Sequence, residues 1–302
     1  MNFSEKTLVF DCLGERLLGI VALPEMSQRT GVLIVVGGPQ YRAGSHRQFL
    51  LLSRTLAAAG YPAMRFDYRG MGDSSGEQRS FQEVDDDIAA AVAAFRQHCP
   101  QLERIVLWGL CDAATAALLY WDRTRDARLG GLVLLNPWVR SEATLARTHI
   151  KHYYAQRLLQ GEFWRKLLSG RLGLGRALCG LVVSLRRARQ ASTGDGAAAE
   201  LPFQQRMMRA LEDFPGPMLL ILSGDDYTAK EFLEACRGDA QAQRALAASH
   251  LTRIEVAAAD HTFSSRDWRQ AVETADAARQ GGRRQVLPGV GEQGGFVGRA
   301  DD

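Results

Sequence analysis

Hydrophobic positions along the chain fall into two rhythms. Thr7 to Asp11 and Arg16 to Ala22 read as two strands joined by Cys12, Leu13, Gly14 and Glu15, a pattern that predicts an antiparallel hairpin at a sheet edge. Gly31 to Val36 is a continuous apolar run, as expected of a strand buried on both faces. Pro62 to Phe66, Ile105 to Trp108, Gly131 to Leu135, Pro217 to Leu222 and Leu251 to Val256 add five more short strands. Between them lie helical patterns: Ser45 to Ala59, stopped by Gly60; Phe81 to His98; Ala113 to Trp121; a helix through Glu231 and Phe232; and one from about Arg266 to Ala278. In the second of these, Val84, Ile88, Ala91, Val92 and Phe95 share one face. Its first turn, Asp85, Asp86 and Asp87, reads as a solvated helix start that suits the helix dipole. Adjacent residues on a helix point in different directions, which argues against a metal site there. Strands alternating with helices predict an α/β fold with a mostly parallel, doubly wound sheet.

The rhythm breaks after Trp138. Arg140 to Arg209 carries helical patterns without a convincing strand, and holds 13 Lys and Arg against 4 Asp and Glu, a formal balance of +9. The whole chain is only +3, so the remainder is −6 (3 − 9). The pattern divides the chain into a core of residues 1–138, a helical cap inserted at 139–213, more core at 214–278, and a Gly-rich tail at 279–302 without hydrophobic period, expected to be disordered. Ala191 to Ala199 reads as a flexible loop within the insert. The basic insert could draw an anionic substrate or make peripheral contact with a membrane surface; a plain solvated helix face is the other reading. His149, His152, Tyr153 and Tyr154 lie in it and are assigned no chemistry.

Composition narrows the classes. The 302 residues are 46% hydrophobic and 24% charged, enough for one large α/β domain or a core with an insert. The near-balanced charge gives no reason to expect nucleic acid as a partner. Five cysteines (12, 99, 111, 179 and 236) show no paired or metal-binding spacing, which points to reduced thiols, a cytoplasmic location and no metal. The first residues lack the apolar core of a signal peptide. Leu167 to Leu185 comes nearest to the ~18 apolar residues of a membrane span, but Arg171 and Arg176 interrupt it. No cofactor-binding pattern is present, and none is expected.

The candidate chemistry begins at Gly109, Leu110, Cys111, Asp112 and Ala113. A strand precedes this turn and an Ala-rich helix follows, the context of the Gly-x-Ser-x-Gly elbow that presents a nucleophile. Cys replaces the Ser and Ala the last Gly. A turn this tight needs small residues two before and two after the nucleophile, and Gly109 and Ala113 meet that need. Cys111 would sit at a helix N-terminus, which lowers a thiol pKa; a buried structural Cys is the alternative. Asp226 and His261 also fall just past strands, in the loops beginning at Ser223 and Ala257. The carboxyl ends of parallel strands share one edge, where ligands bind. His261 could accept the thiol proton, and Asp226 or its neighbour Asp225 would fix the imidazole tautomer. An acyl-transfer site also needs oxyanion donors. The Asp112 N–H is one candidate. Gly38 is the second, since Pro39 has no N–H, and Gln40 is its alternative through the side-chain amide. Gln40 and Tyr41 are also candidates for substrate contact.

Together these residues resemble the α/β-hydrolase superfamily. Val36 to Gln40 is similar to its His-Gly-Gly-Pro-Gly oxyanion loop, and Asp67 to Ser75 to its Asp-x-Arg-Gly-x-Gly-x-Ser loop. Four stretches more specifically resemble the exosortase A system-associated hydrolase 1 proteins: Gly37 to Phe49, Gly109 to Ala113, Ser223 to Phe232 and Asp260 to Phe263. The resemblance runs from about Phe3 to Ala278. It implies a hydrolase-fold protein linked to exopolysaccharide synthesis and exosortase sorting, and it favours Asp226 over Asp225. The expected function is hydrolysis of an ester or thioester, on a small-molecule or lipid- or sugar-linked acyl substrate, through a covalent acyl–Cys111 intermediate. Acyl transfer to a sugar or lipid, or a catalytically silent binding protein on the same fold, are the rivals.

Overall fold

Two consecutive residues with positive φ, Leu13 and Gly14, make the tight two-residue turn that matches the twist of a β-hairpin. The turn joins β1 (Phe3–Cys12) to β2 (Glu15–Pro24), with Cys12 paired to Glu15. The structure, a computed structural model, describes residues 3–38, 40–140, 201–270 and 272. The expected cap, except for residues 139–140 and 201–213, lies outside the described residues, as do His149, His152, Tyr153, Tyr154, Cys179, the 191–199 loop and the tail. Most of the last expected helix lies outside them too. Among the described helices, none is long and apolar enough to cross a membrane.

The remaining strands are β3 (Thr30–Val35), β4 (Ala63–Phe66), β5 (Arg104–Leu110), β6 (Leu129–Leu135), β7 (Met218–Ser223) and β8 (Leu251–Val256). They form one eight-stranded sheet in the order β1-β2-β4-β3-β5-β6-β7-β8. The hairpin runs antiparallel to its neighbours, and from β4 to β8 every pairing is parallel. This is the mostly parallel α/β sheet that the pattern predicts.

Both sheet faces are apolar because both are covered. On β5, Ile105 and Leu107 enter one core cluster while Val106, Trp108 and Leu110 enter the other; Leu33 and Val35 against Val32 and Ile34 divide β3 in the same way. One face carries α2 (Asp85–His98), α3 (Asp112–Thr124), α4 (Phe203–Asp213), α5 (Tyr227–Arg237) and α6 (Ala240–Ala247). The other carries α1 (Gln48–Ala58) and Phe263. Ala113, Ala114, Ala116 and Ala117 are fully buried, and their small side chains let α3 lie close on the sheet.

Three expectations change. The boundary at 213 moves, because α4 is packed into the core: Met207 and Leu211 are fully buried with Trp121 and Phe214 beside them, their rings 5.0 Å apart. Arg209 and Arg206 of α4 bind Asp122 of α3 at 2.7 and 3.2 Å, so two cations counted toward the basic insert share a buried carboxylate of the core. The acidic run is not a solvated start either. Asp87 is fully buried and receives the Arg69 guanidinium at 2.7 Å, and buried Asp85 pairs with Arg123 at 2.7 Å; Asp86 alone is exposed. Finally, α2 begins at Asp85 rather than Phe81, whose ring stacks edge-on against Phe203 at 5.3 Å.

Candidate active site

The carboxyl ends of β3, β5, β7 and β8 bring Gly38, Cys111, Asp226 and His261 to one edge of the sheet. Cys111 sits between β5 and α3 with φ 62° and ψ −123°, a strained conformation for a residue with a side chain. Its N–H donates to the Leu135 carbonyl at 2.8 Å, and its carbonyl accepts from Ala114 and Trp138. The close turn explains Gly109: a Cβ there would stand 2.6 Å from the Ala113 backbone.

Four cysteines are described. Burial pushes Cys12 and Cys99 up to about 11 and Cys236 up to about 12, as expected of inert core thiols. Cys111 is the partly exposed one.

Asp226 is the N-cap of α5. Its carboxylate accepts the backbone N–H groups of Thr228 at 3.3 Å and Ala229 at 3.1 Å. The same group lies 2.9 Å from His261 Nδ1. Burial alone would raise Asp226, but the hydrogen bonds from His261, Ala229 and Thr228 outweigh it and hold the carboxyl below its usual range. Asp225 faces solvent, 3.9 Å from Lys230. The His261 pKa rises to about 10, first through the Asp226 hydrogen bond and then through a side-chain hydrogen bond with Cys111. With Nδ1 committed to Asp226, Nε2 is left for the sulfur.

A network that the sequence did not signal fixes the His261 loop. Asn136, fully buried after β6 with φ 43°, donates its amide to Ser223 Oγ at 2.8 Å and to the His261 carbonyl at 3.1 Å. Ser223 N–H returns a bond to Asn136 Oδ1 at 2.8 Å, and Ser223 Oγ donates to the Asp260 carbonyl at 2.8 Å. Asp260 in turn accepts the N–H groups of Thr262 and Ser264.

The oxyanion candidates are placed where expected but are engaged. The Gly38 N–H donates to Asp112 Oδ2 at 2.8 Å, and the Ala113 N–H donates to Oδ1 at 3.0 Å. Burial raises the Asp112 carboxyl despite these donors. Gln40 uses its amide oxygen to accept the Ser45 N–H at 3.0 Å, which braces its own loop. Tyr41 is half exposed, with the Arg42 guanidinium 5.9 Å from its ring. Arg42 binds buried Asp67, tying this loop to the Asp67–Ser75 loop. There Ser74 Oγ and Ser75 Oγ accept the N–H groups of Leu18 and Arg16. Among the described residues, no group of three His, Cys, Asp or Glu side chains could hold a metal ion.

Comparison with known proteins bears on the family and the fold. A sequence model described as the alpha/beta hydrolase family matches residues 32–277. No curated protein matches the sequence. Among solved structures, the Pyrococcus furiosus esterase Pf2001 superposes with a TM-score of 0.60 at 16% identity, covering 92% of this chain and 91% of that one. A thermostable carboxyl esterase from Bacillus coagulans also gives 0.60 at 16% identity, covering 92% and 98%. Est1E from Butyrivibrio proteoclasticus, solved with ferulic acid, gives 0.58 at 13% identity, covering 91% and 98%.

Proposed function

Because the chain belongs to the alpha/beta hydrolase family, we propose that it hydrolyses a carboxylic ester or thioester through Cys111, with His261 as proton carrier and Asp226 orienting it. The observation that carries this reading is the 2.9 Å contact that holds His261 Nδ1 on Asp226 at the sheet edge where Cys111 follows β5, with Cys111 among the groups that raise the imidazole's pKa.

The thiol proton passes to His261 Nε2 and the sulfur attacks the carbonyl carbon. The carbonyl π pair moves to oxygen, which the N–H groups of Gly38 and Asp112 receive. Collapse of this intermediate expels the alkoxide or thiolate, which takes the proton from His261. The acyl–Cys111 thioester remains. His261 then removes a proton from water, the hydroxide attacks the thioester, and the Cys111 thiolate leaves and regains its proton. Esters and thioesters suit a sulfur nucleophile better than amides, since a thiolate leaves more easily than an amine. A sugar or lipid hydroxyl in place of water turns the same intermediate into acyl transfer. The link to exopolysaccharide and exosortase systems, and a cytoplasmic location, rest on sequence resemblance and cysteine usage. Peripheral membrane contact through the basic insert rests on its charge.

The test is intact-mass measurement after incubation with a panel of acyl esters and thioesters. The native protein should gain an acyl mass that Cys111→Ala does not, and Cys111→Ala should lose turnover. Unchanged turnover in that variant removes the mechanism. No adduct, no burst of product and retained acyl-ligand binding in His261→Ala would instead support a silent binding protein.

A further inference from the structure

We propose that the Asp112 carboxylate is a built-in occupant of the oxyanion site, and that the Tyr68 hydroxyl receives it when a carbonyl substrate displaces it. The inference rests on the acyl-transfer reading above and adds a control on the same site.

A donor that should meet the developing oxyanion already meets an anion. Gly38 N–H reaches Asp112 Oδ2 at 2.8 Å, a full hydrogen bond. The other carboxylate oxygen takes the Ala113 N–H at 3.0 Å, beside the second donor, Asp112 N–H. A carboxylate oxygen and a tetrahedral oxyanion are the same kind of acceptor, so they exclude each other. Two negative oxygens side by side would also repel. The protein makes room for this occupant: Gly37 has no side chain, and a Cβ there would fall on Asp112 Oδ1 and 2.9 Å from the Ala113 nitrogen.

A displaced carboxylate needs another donor. Tyr68 is 4% exposed, and its hydroxyl is buried with no hydrogen-bond partner among the described residues. Unpaired buried hydroxyls are costly and uncommon. After burial, the Asp112 charge is the next cause that raises Tyr68, which places the two groups within electrostatic reach. The site thus has two positions for one carboxylate: on the Gly38 N–H, closed, and on the Tyr68 O–H, open.

The test separates oxyanion formation from thiol reactivity. Butanal should form a reversible hemithioacetal: the Cys111 sulfur bonds the carbonyl carbon, the π pair moves to oxygen, and the thiol proton passes through His261. Iodoacetamide alkylates the same sulfur, expels iodide and forms no oxyanion. In Asp112→Ala the gain in butanal affinity should exceed any gain in alkylation rate by about tenfold or more. Asp112→Asn, which keeps the shape with a weaker acceptor, should give a smaller gain. Tyr68→Phe should weaken butanal binding by about fivefold in the native background and leave it unchanged in the Asp112→Ala background. Equal gains in both reactions, or no gain, overturn the occupant. Equal losses from Tyr68→Phe in both backgrounds overturn the receiving role and leave Tyr68 structural. If Cys111 alkylates but no variant, nor the native protein, binds butanal, the acyl-transfer reading fails and this inference with it. A native adduct that does not tighten fails the inference alone.

Discussion

Asn136 and His261 are 125 positions apart, yet the amide of the first holds the main-chain carbonyl of the second at 3.1 Å. Asn136 Nδ2 also donates to Ser223 Oγ, and Ser223 N–H donates back to its Oδ1. The loop that carries the imidazole is therefore tied to the strand end beside the nucleophile. Asn136→Ala would remove these bonds and leave the Ser223 N–H buried without a partner. We expect a loss of about 2–3 kcal/mol in denaturant unfolding, with kcat for an activated ester down by about tenfold and KM little changed. Asn136→Gly tolerates the φ of 43° but lacks the amide, so it should fall with Ala; recovery in Gly would assign the effect to backbone strain instead.

Asp226 sets the pH range of His261. A hydrogen bond from the imidazole to Asp226 is the largest cause lifting its pKa to about 10, so the imidazolium formed when His261 takes the thiol proton is favoured up to that pH. The leaving group of an alkyl ester takes its proton from this imidazolium. Hydrolysis of an alkyl ester should therefore hold to about pH 9 and fall as the pH passes about 10. In Asp226→Asn the alkaline fall should move down toward the ordinary His range, about 6.5. The linked stability has a fixed sign. A raised folded-state pKa contributes fully below the unfolded value and is lost as pH rises through the folded one. The native protein should lose stability relative to His261→Gln between about pH 6.5 and 10, measured as unfolding midpoints. A difference that is constant over that window would show that the imidazole's charge is not what the pair stabilises.

How far the sequence revealed this site depends on the range of the interactions. Cys111 was legible because its turn is local: Gly109, two residues before, is where the chain folds back on Ala113. The choice between Asp225 and Asp226 was not local: the resemblance favoured Asp226, and the structure shows its carboxylate capping α5 through the Thr228 and Ala229 N–H groups. Position 136 gave no such sign, because its partners lie at 223 and 261. Charge misled where pairing crosses the fold. Arg206 and Arg209 counted toward a basic insert until α4 placed them on Asp122. Asp87 read as a solvated cap until Arg69 covered it. The α6 helix is too short for a clear apolar period, although its N-cap Asp239 accepts Gln241 and Ala242 N–H groups as a start signal should. Asp112 was predictable as the residue after the nucleophile and Gly38 from the loop after β3; the carboxylate lying on the Gly38 N–H needs coordinates.

The elbow itself predicts a steep dependence on side-chain size. A Cβ at position 109 would stand 2.6 Å from the carbonyl carbon and oxygen of Ala113 and from Ala114 N. These are backbone atoms, so no rotamer change relieves the clash. Gly109→Ala should push α3 away from β5 and cost about 2–3 kcal/mol by unfolding midpoint, with Cys111 alkylation losing its site preference over the buried thiols.

The buried ion pair under the Asp67–Ser75 loop offers a test of the fold that is independent of catalysis. The Arg69 guanidinium grips the fully buried Asp87 carboxylate with Nε at 3.0 and 3.1 Å from its oxygens and Nη2 at 2.7 Å; the Arg69 N–H adds a fourth bond at 2.8 Å. The Arg69 pKa rises through this hydrogen bonding, so the cation persists at any working pH. Arg69→Met keeps the stem but strands a carboxylate inside the core, and should cost about 3–5 kcal/mol. Asp87→Asn keeps a side-chain oxygen as acceptor for the Arg69 guanidinium, and the Asp86 carboxylate lies 3.9 Å away, so it should cost less. The double variant Arg69→Met with Asp87→Leu removes both charges and should recover most of the loss, since the penalty lies in the unpaired charge and not in the missing attraction. A double variant no more stable than Arg69→Met would show instead that the Arg69 N–H bond to Asp87, which Leu cannot accept, is what holds the loop.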